Sequence, residues 1–287
     1  MNSFEEHSIL EDASLGDILR RTKGLSADQV KQALDYQTDH NVRFGDAVVA
    51  LGLAGTEDIV WALSQQFRYP YAPTTAQVLN EELVVANDPF SEEVEAFRDL
   101  RSQLLMSVMG GGEARHALAL VSPDVGDGKS FIAANLAVAF SQLPGRTLLV
   151  DADLRAARLH EVFGVESGTG LTSILAGRAN PNVIKPVGHL PNLYLLPAGV
   201  AVPNPVELLQ QTAFSLLLRE LLDKFDHVIV DTPAASHGSD ARIIALHCGS
   251  ALVIGRKDRS SVAHLQKLVT QLSKASVKLG GVLMNEF

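Results

Sequence analysis

The 287-residue sequence contains one cysteine, Cys248, so no internal disulfide can form, and its nine histidines show no zinc-ligand spacing. A reducing, cytoplasmic setting is expected. No run of about 18 apolar residues is present to span a bilayer, and the opening MNSFEEHSIL is acidic where a secretory signal would be basic. Direct membrane insertion is not expected, and any membrane association should go through a partner. Positive charge is scarce too: 24 Lys and Arg stand against 33 Asp and Glu, a net charge of −9. No general basic field exists to collect nucleic acid, and any polyanion must be held locally. What remains, 46% apolar and 20% charged with 22 Gly and 12 Pro, is globular composition and enough chain for about two domains.

An internal repeat with a period of 29 residues opens the chain. Leu15-Gly16-Asp17 recurs as Phe44-Gly45-Asp46, Leu19 as Val48, Val30 as Ile59, Ala33-Leu34 as Ala62-Leu63 and Gln37 as Gln66. Each unit reads as two short helices; in the second, Gly52 stops one helix and Thr56, followed by Glu57 and Asp58, starts the next. One unit cannot bury its apolar face, whereas two can, which predicts a small helical domain over residues 1–70. Residues 71–90 carry Pro73 and Pro89 with interspersed Thr and Asn, and read as a linker. Beyond it, 91–106 reads as a helix opened by Ser91, with Glu95, Arg98 and Arg101 on roughly one face; by itself this is a solvated charged stripe.

From His116 the pattern becomes short apolar runs (117–121, 147–150, 193–196, 227–230, 251–254 and 282–284) separated by helical segments. That alternation predicts an α/β fold over 91–287, a doubly wound, mainly parallel sheet, and the glycine loop after its first strand makes it P-loop NTPase-like. The sequence VSPDVGDGKS (121–130) follows the first apolar run and opens a helical run. Gly126 and Gly128 suit backbone amides turned onto an anion, Lys129 can reach the outer phosphates, and the Ser130 hydroxyl can serve Mg²⁺. Pro123 stands where the strict motif has its first glycine, and Phe131 excludes a dinucleotide fingerprint. Asp151, Asp153 and Asp231 end or follow apolar strands, where parallel sheets bind ligands. Ser130, Asp151 and Asp231 form the expected Mg²⁺ set.

These residues resemble those of the bacterial tyrosine kinases that regulate exopolysaccharide chain length, in particular the stand-alone EpsG type. LLVDADLRAARLHEVFG (148–164), GLTSILAG (170–177), LPAGVAVPNPVELL (196–209) and FDHVIVDTPA (225–234) are similar to its signatures. The resemblance implies an ATP-dependent tyrosine kinase with Lys129, Asp151, Asp153 and Asp231 in catalysis. It implies ATP·Mg²⁺ bound by Gly126, Asp127, Gly128, Lys129, Ser130, Phe131 and Arg155. Asn285 either touches adenine, as in related nucleotide proteins, or forms a turn. Glu95, Arg98 and Arg101 match an E-x-x-R-x-x-R motif, implying a homo-oligomeric ring, and a membrane polysaccharide co-polymerase is the implied partner. The loop reads VGDGK in place of the family's PGEGK, and the family's C-terminal tyrosine cluster is missing: the tyrosines are Tyr36, Tyr69, Tyr71 and Tyr194. The acceptor is therefore expected elsewhere, or the protein mainly hydrolyses or senses ATP.

The N-terminal repeat is similar to the cyclic-di-GMP-binding module of type II secretion and pilus ATPases, which has two 24-residue frames five residues apart. Here the second frame keeps Arg43, Gly45, Gly52 and Gln66, whereas the first has Ser14 for Arg and Lys23 for Gly. Arg43, Gly45 and Gln66 are the implied contacts of a cyclic-di-GMP sensor or its degenerate descendant. Competing readings for the larger domain are a MinD- or ParA-like regulatory ATPase, whose signature lysine is replaced by Asp124, and a nucleotide-gated scaffold.

Overall fold

The computed structural model describes residues 14–66, 80–88, 91–110, 115–178, 182–188, 190 and 192–286. The chain divides into two compact units, Met1–Gln77 and Val78–Phe287.

In the first unit, the described residues form four helices: α1 (Leu15–Lys23), α2 (Ala27–His40), α3 (Phe44–Ala50) and α4 (Thr56–Gln66). Capping boxes start the first two, Ser14 with Asp17 and Ser26 with Gln29, each satisfying amides that helix starts leave unpaired. Before α4 the Asp58 carboxylate accepts from the Gly55 amide at 3.0 Å and pairs with Lys23 at 2.6 Å. The repeat extends to the packing. Ile18, Leu19 and Ala33 are buried in one half, and their counterparts Ala47, Val48 and Ala62 in the other. Gly16 faces Val30, and Gly45 faces Ile59 so closely that an added Cβ would lie 2.8 Å from the Ile59 side chain. Lys23 in place of glycine is compensated one residue later: Gly24 takes the left-handed conformation (φ 69°) that Gly52 (φ 65°) supplies in the second half.

The second unit opens with residues 80–88, containing the short helix α5 (Val84–Asn87). This corrects the expected linker. Leu83 and Val85 are buried, and Asn135 accepts from the Val85 amide at 3.0 Å while donating to the Glu82 carbonyl at 2.7 Å. The segment thus belongs to the α/β core, and residues 71–79 and 89–90 lie outside the described residues. Helix α6 (Glu92–Leu104), capped by Ser91, continues into a π-helical turn (Leu105–Met109).

Seven strands follow: β1 (Ala117–Val121), β2 (Thr147–Asp151), β3 (Lys185–Pro186), β4 (Leu193–Leu196), β5 (His227–Asp231), β6 (Gly249–Arg256) and β7 (Lys278–Asn285). Their order is β3-β4-β2-β5-β1-β6-β7, and every pairing is parallel except β3 with β4. Side chains alternate faces along a strand. Leu118, Leu120, Leu149 and Ile229 therefore pack with α6 and α7 (Lys129–Ser141), while Ala119, Val150, Val230 and Val253 pack with α11 (Thr212–Lys224), α12 (Asp240–Cys248) and α13 (Val262–Lys274). Three shorter helices, α8 (Leu159–Val162), α9 (Leu171–Leu175) and α10 (Pro205–Leu209), complete the layers. Cys248 is buried, and no described helix is long and apolar enough to cross a membrane.

Strands β1 and β5 are neighbours whose following connections leave in opposite directions, to β2 and to β6. Ligands bind parallel sheets at such a switch point.

The tight approach at Gly45 gives a first test. Gly45→Val should destabilise the helical unit by about 1–3 kcal/mol through overpacking against Ile59. Chemical denaturation followed by circular dichroism would show an early transition absent from the parent protein.

Candidate functional site

The loop from β1 to α7 owes its shape to two left-handed glycines, Gly126 (φ 84°) and Gly128 (φ 92°). L-residues with a Cβ avoid this region. Helix α7 starts without a side-chain cap, leaving its first amides for a ligand. Asp127 is fully buried and locks the loop from inside: its carboxylate accepts from the Asp124 amide at 2.9 Å and from the Ser260 hydroxyl at 2.7 Å. Arg256 donates to the Gly126 carbonyl at 3.3 Å, and Asn285 donates to the Asp127 carbonyl at 3.2 Å. The Asn285 amide sits so close that a Cβ on Gly128 would lie 2.2 Å from its nitrogen. Asn285 therefore buttresses the loop.

Lys129 is buried, and the Ser130 hydroxyl donates to Asp231 at 2.6 Å. Asp151 and Asp231 are in-register partners on adjacent strands, and both are buried. Burial, with the Asp231 charge second, raises the Asp151 carboxyl to about 8. Amides of Leu159 (3.1 Å) and Asp153 (3.3 Å) oppose this by donating to it. Burial raises Asp231 to about 6, opposed by the Ser130 hydroxyl and the Lys129 ammonium. Asp153, half-buried, accepts from the Arg155 and Ala156 amides at 3.1 and 2.9 Å and shapes its own turn.

The groups fit a magnesium nucleotide. Two buried acids with elevated protonation call for a cation, and the uncapped helix start beside Lys129 calls for an anion. Among the described residues no cluster of three or more His, Cys, Asp or Glu could hold a metal unaided. Mg²⁺ characteristically takes one or two protein oxygens, with phosphates and waters supplying the rest.

The other expected residues divide. Arg155 is engaged by Asp240, with nitrogen to oxygen distances of 3.2 and 3.3 Å. Phe131 packs edge-on to Phe97 and, with Leu283 and Met284, lines a mainly apolar recess of about 660 Å³ next to Asn285. Glu95 is exposed and pairs with half-buried Arg98, whereas Arg101 turns inward to the carbonyl of Ala139 in the last turn of α7. There its charge complements the helix C-terminus. In the first unit Arg43 is exposed at the start of α3 and Gly45 is committed to packing; the Gln66 side chain lies outside the described residues. Ser14, at the repeat position of Arg43, is a capping residue.

Several working residues were not anticipated from sequence. Ser260 and Arg256 brace the loop from more than 120 positions away, where no local pattern marks them. Asn135 carried a readable signal, a polar residue inside the apolar run of α7. Arg158, adjoining the residue whose amide holds Asp151, pairs with Glu82.

The acid pair fixes a pH dependence. Between about pH 4 and 8 the folded chain keeps a proton on Asp151 that the unfolded chain releases, so ligand-free stability falls as pH rises across that window. The slope should approach ~1.4 kcal/mol per pH unit. Thermal melts from pH 6 to 8 should show it in the parent and a flatter profile in Asp151→Asn; identical slopes would remove Asp151 as the cause.

Comparison with known proteins agrees with this geometry. The family profile of ParA, NUBPL iron-transfer P-loop NTPase, matches residues 113–286. The chain is 34% identical to the tyrosine-protein kinase ptk of Acinetobacter johnsonii over 196 residues, covering 67% of this chain and 26% of that protein. It is 31% identical to the tyrosine-protein kinase CpsD of Streptococcus agalactiae over 194 residues, 67% of this chain and 82% of that one. The kinase domain of the Escherichia coli tyrosine kinase ETK superposes with a TM-score of 0.68 at 30% identity, over 74% of this chain and 82% of that domain. The chain spans about a quarter of the length of the first curated relatives it matches. By the profile match and by this similarity the chain belongs to the ParA-type P-loop NTPases and to the bacterial tyrosine-protein kinase family.

Proposed function

We propose that this protein transfers the γ-phosphoryl group of ATP·Mg²⁺ to tyrosine hydroxyls and thereby regulates exopolysaccharide polymerisation, chain length and export. The observation that carries the reading is the buried Asp151–Asp231 pair set against Ser130 and Lys129. Mg²⁺, when bound, would neutralise phosphate charge and lower both acids. Ser130 and Asp231 are the residues to hold it, with Asp151 beside them. Lys129 stabilises negative charge developing on the outer phosphate, and the left-handed glycines keep backbone amides directed at it. Asp151, protonated in the ligand-free site, would be ionised once Mg²⁺ lowers it, and is then placed to accept a proton from a tyrosine hydroxyl. Asp153 positions the turn between them.

The MinD- or ParA-like alternative is less favoured because the signature-lysine position holds Asp124, whose carboxylate lies 3.2 Å from His264 Nδ1. A cytoplasmic location, peripheral to the inner membrane through a polysaccharide co-polymerase, accords with the kinase reading. In a homo-oligomer, exposed Glu95 would present most of the E-x-x-R-x-x-R surface to the neighbour. Of the tyrosines, Tyr36 stacks on His40 and Tyr194 packs edge-on to Phe225, while Tyr69 and Tyr71 lie outside the described residues. For the helical domain we retain the cyclic-di-GMP proposal in its degenerate form, since one exposed arginine, Arg43, stands where two frames would supply two.

Two measurements test these readings. Incubation with ATP·Mg²⁺, with and without the membrane partner, followed by phosphotyrosine mass spectrometry should give modification that Lys129→Ala lowers by at least about a hundredfold. Absence of Lys129-dependent phosphotyrosine overturns the kinase assignment. Calorimetric titration of the full chain with cyclic-di-GMP should give weak, Arg43-dependent heat; none at tens of micromolar would reduce the helical domain to a docking module.

A further inference from the structure

Beside the phosphate loop lies a second recess, of about 330 Å³, bordered by the 3-10 turn Ala235–His237, α12 and α13. Pro123 and Asp124 of the loop line it, and hydrogen bonds from the Ala235 and Ser236 amides to the Ser122 and Pro123 carbonyls, both 2.9 Å, pin its wall to the loop. That wall is the continuation of β5, four residues beyond Asp231. Arg242 and Lys267 line the recess, and their side chains have no hydrogen-bond or ion-pair partner among the described residues. The single acid among the lining residues, Asp124, is occupied by His264 at 3.2 Å. Asp240, in the first turn of α12, is occupied by Arg155. The local charge left unpaired is therefore positive, in a chain whose net charge is −9.

Such a recess suits an oxyanion. Its volume is at the low end for small-molecule sites and fits one or two side chains better than a nucleotide. It is concave and bounded by two helices, whereas a lipid headgroup layer meets flat or convex basic surfaces. Ser236 and Ser239 add hydroxyl groups to the lining. We propose that this recess is an acceptor-docking site, which takes a carboxylate side chain of an acidic peptide through Arg242 and Lys267 and presents a neighbouring tyrosine at the phosphate loop. The proposal rests on the kinase reading and adds the substrate class to it: tyrosines flanked by acidic residues.

The test is a binding measurement on the full chain with ADP·Mg²⁺, using fluorescence anisotropy of a fluorescein-labelled peptide whose tyrosine is flanked by glutamates, against its glutamine counterpart. Two partly exposed ion pairs should give a preference of about tenfold for the glutamate peptide, weakening as salt is raised. The double variant Arg242→Gln/Lys267→Gln should bring the two peptides to within about twofold of each other. Its melting temperature checks that it folds, and Lys267→Glu, which should shift preference toward a lysine-flanked peptide, gives an independent readout. Equal affinity for both peptides, a preference that survives the double variant, or adsorption to phosphatidylserine vesicles with no peptide preference overturns the proposal. Anisotropy needs no phosphoryl transfer, so a protein without turnover fails the kinase reading and leaves docking decided by binding. Phosphorylation of both peptides with the same kcat/KM and the same affinity overturns docking and leaves the kinase reading standing.

Discussion

Two carboxylates buried side by side are the constraint around which the α/β unit is arranged. Asp151 and Asp231 end neighbouring parallel strands in register, so the sheet itself fixes their separation. Taking a charge out of water beside a like charge is unfavourable, and each carboxyl responds by holding its proton to higher pH. The chain supplies partial compensation through the Ser130 hydroxyl, the Lys129 ammonium and the Leu159 amide. Full compensation needs a cation from outside. A metal nucleotide bound there would relieve this unfavourable electrostatics and displace the protons, so its affinity would depend on pH.

The phosphate loop obeys the complementary rule. Its glycines are free to turn amides outward, yet freedom without restraint would cost the entropy of ordering the loop at every binding event. Asp127 removes that cost in advance. Buried and bonded to the Asp124 amide and the Ser260 hydroxyl, it ties the loop to the turn after β6, while Asn285 at the end of β7 closes the other side. Here the acid of VGDGK is a structural member of the loop, and the residue that resemblance assigns to adenine is one of its supports. The two roles are compatible, because a side chain touching Gly128 stands at the rim of the site.

What the sequence discloses tracks how local the physics is. The strands that are apolar on both faces, the glycine loop and the strand-end acids are visible because each is written in a few consecutive residues. The tandem repeat is visible for another reason: equivalent contacts, Gly16 on Val30 and Gly45 on Ile59, impose equivalent residues 29 positions apart. Strand β3 is invisible, having two residues, one of them Pro186, and pairing in an antiparallel sense that no alternation of apolar runs announces. Residues 80–88 look like linker because asparagine and acidic residues surround a short apolar run, and their burial depends on Asn135, fifty positions away. Arg101 reads as part of a surface stripe until α7 is placed beneath it. Its partner is then a helix-end carbonyl, which no side-chain motif encodes.

Those same residues 80–88 show how the core transmits restraint to the chemistry. Asn135 lies on the phosphate-loop helix, makes three hydrogen bonds, and bridges the Val85 amide to the Glu82 carbonyl. Glu82 in turn pairs with Arg158, and the next residue, Leu159, donates its amide to Asp151. One short strap therefore touches both halves of the candidate site, the helix that follows the glycine loop and the turn that holds Asp151. A shift of the strap would move Asp151 relative to Lys129 without altering either side chain, and a misplacement of about 1 Å between reacting groups is enough to cost about a hundredfold in rate. The strap's polar bonds are thus positional in effect: they add little net stability each, while restraining Asp151 relative to Lys129, the geometry that the proposed phosphoryl transfer would need.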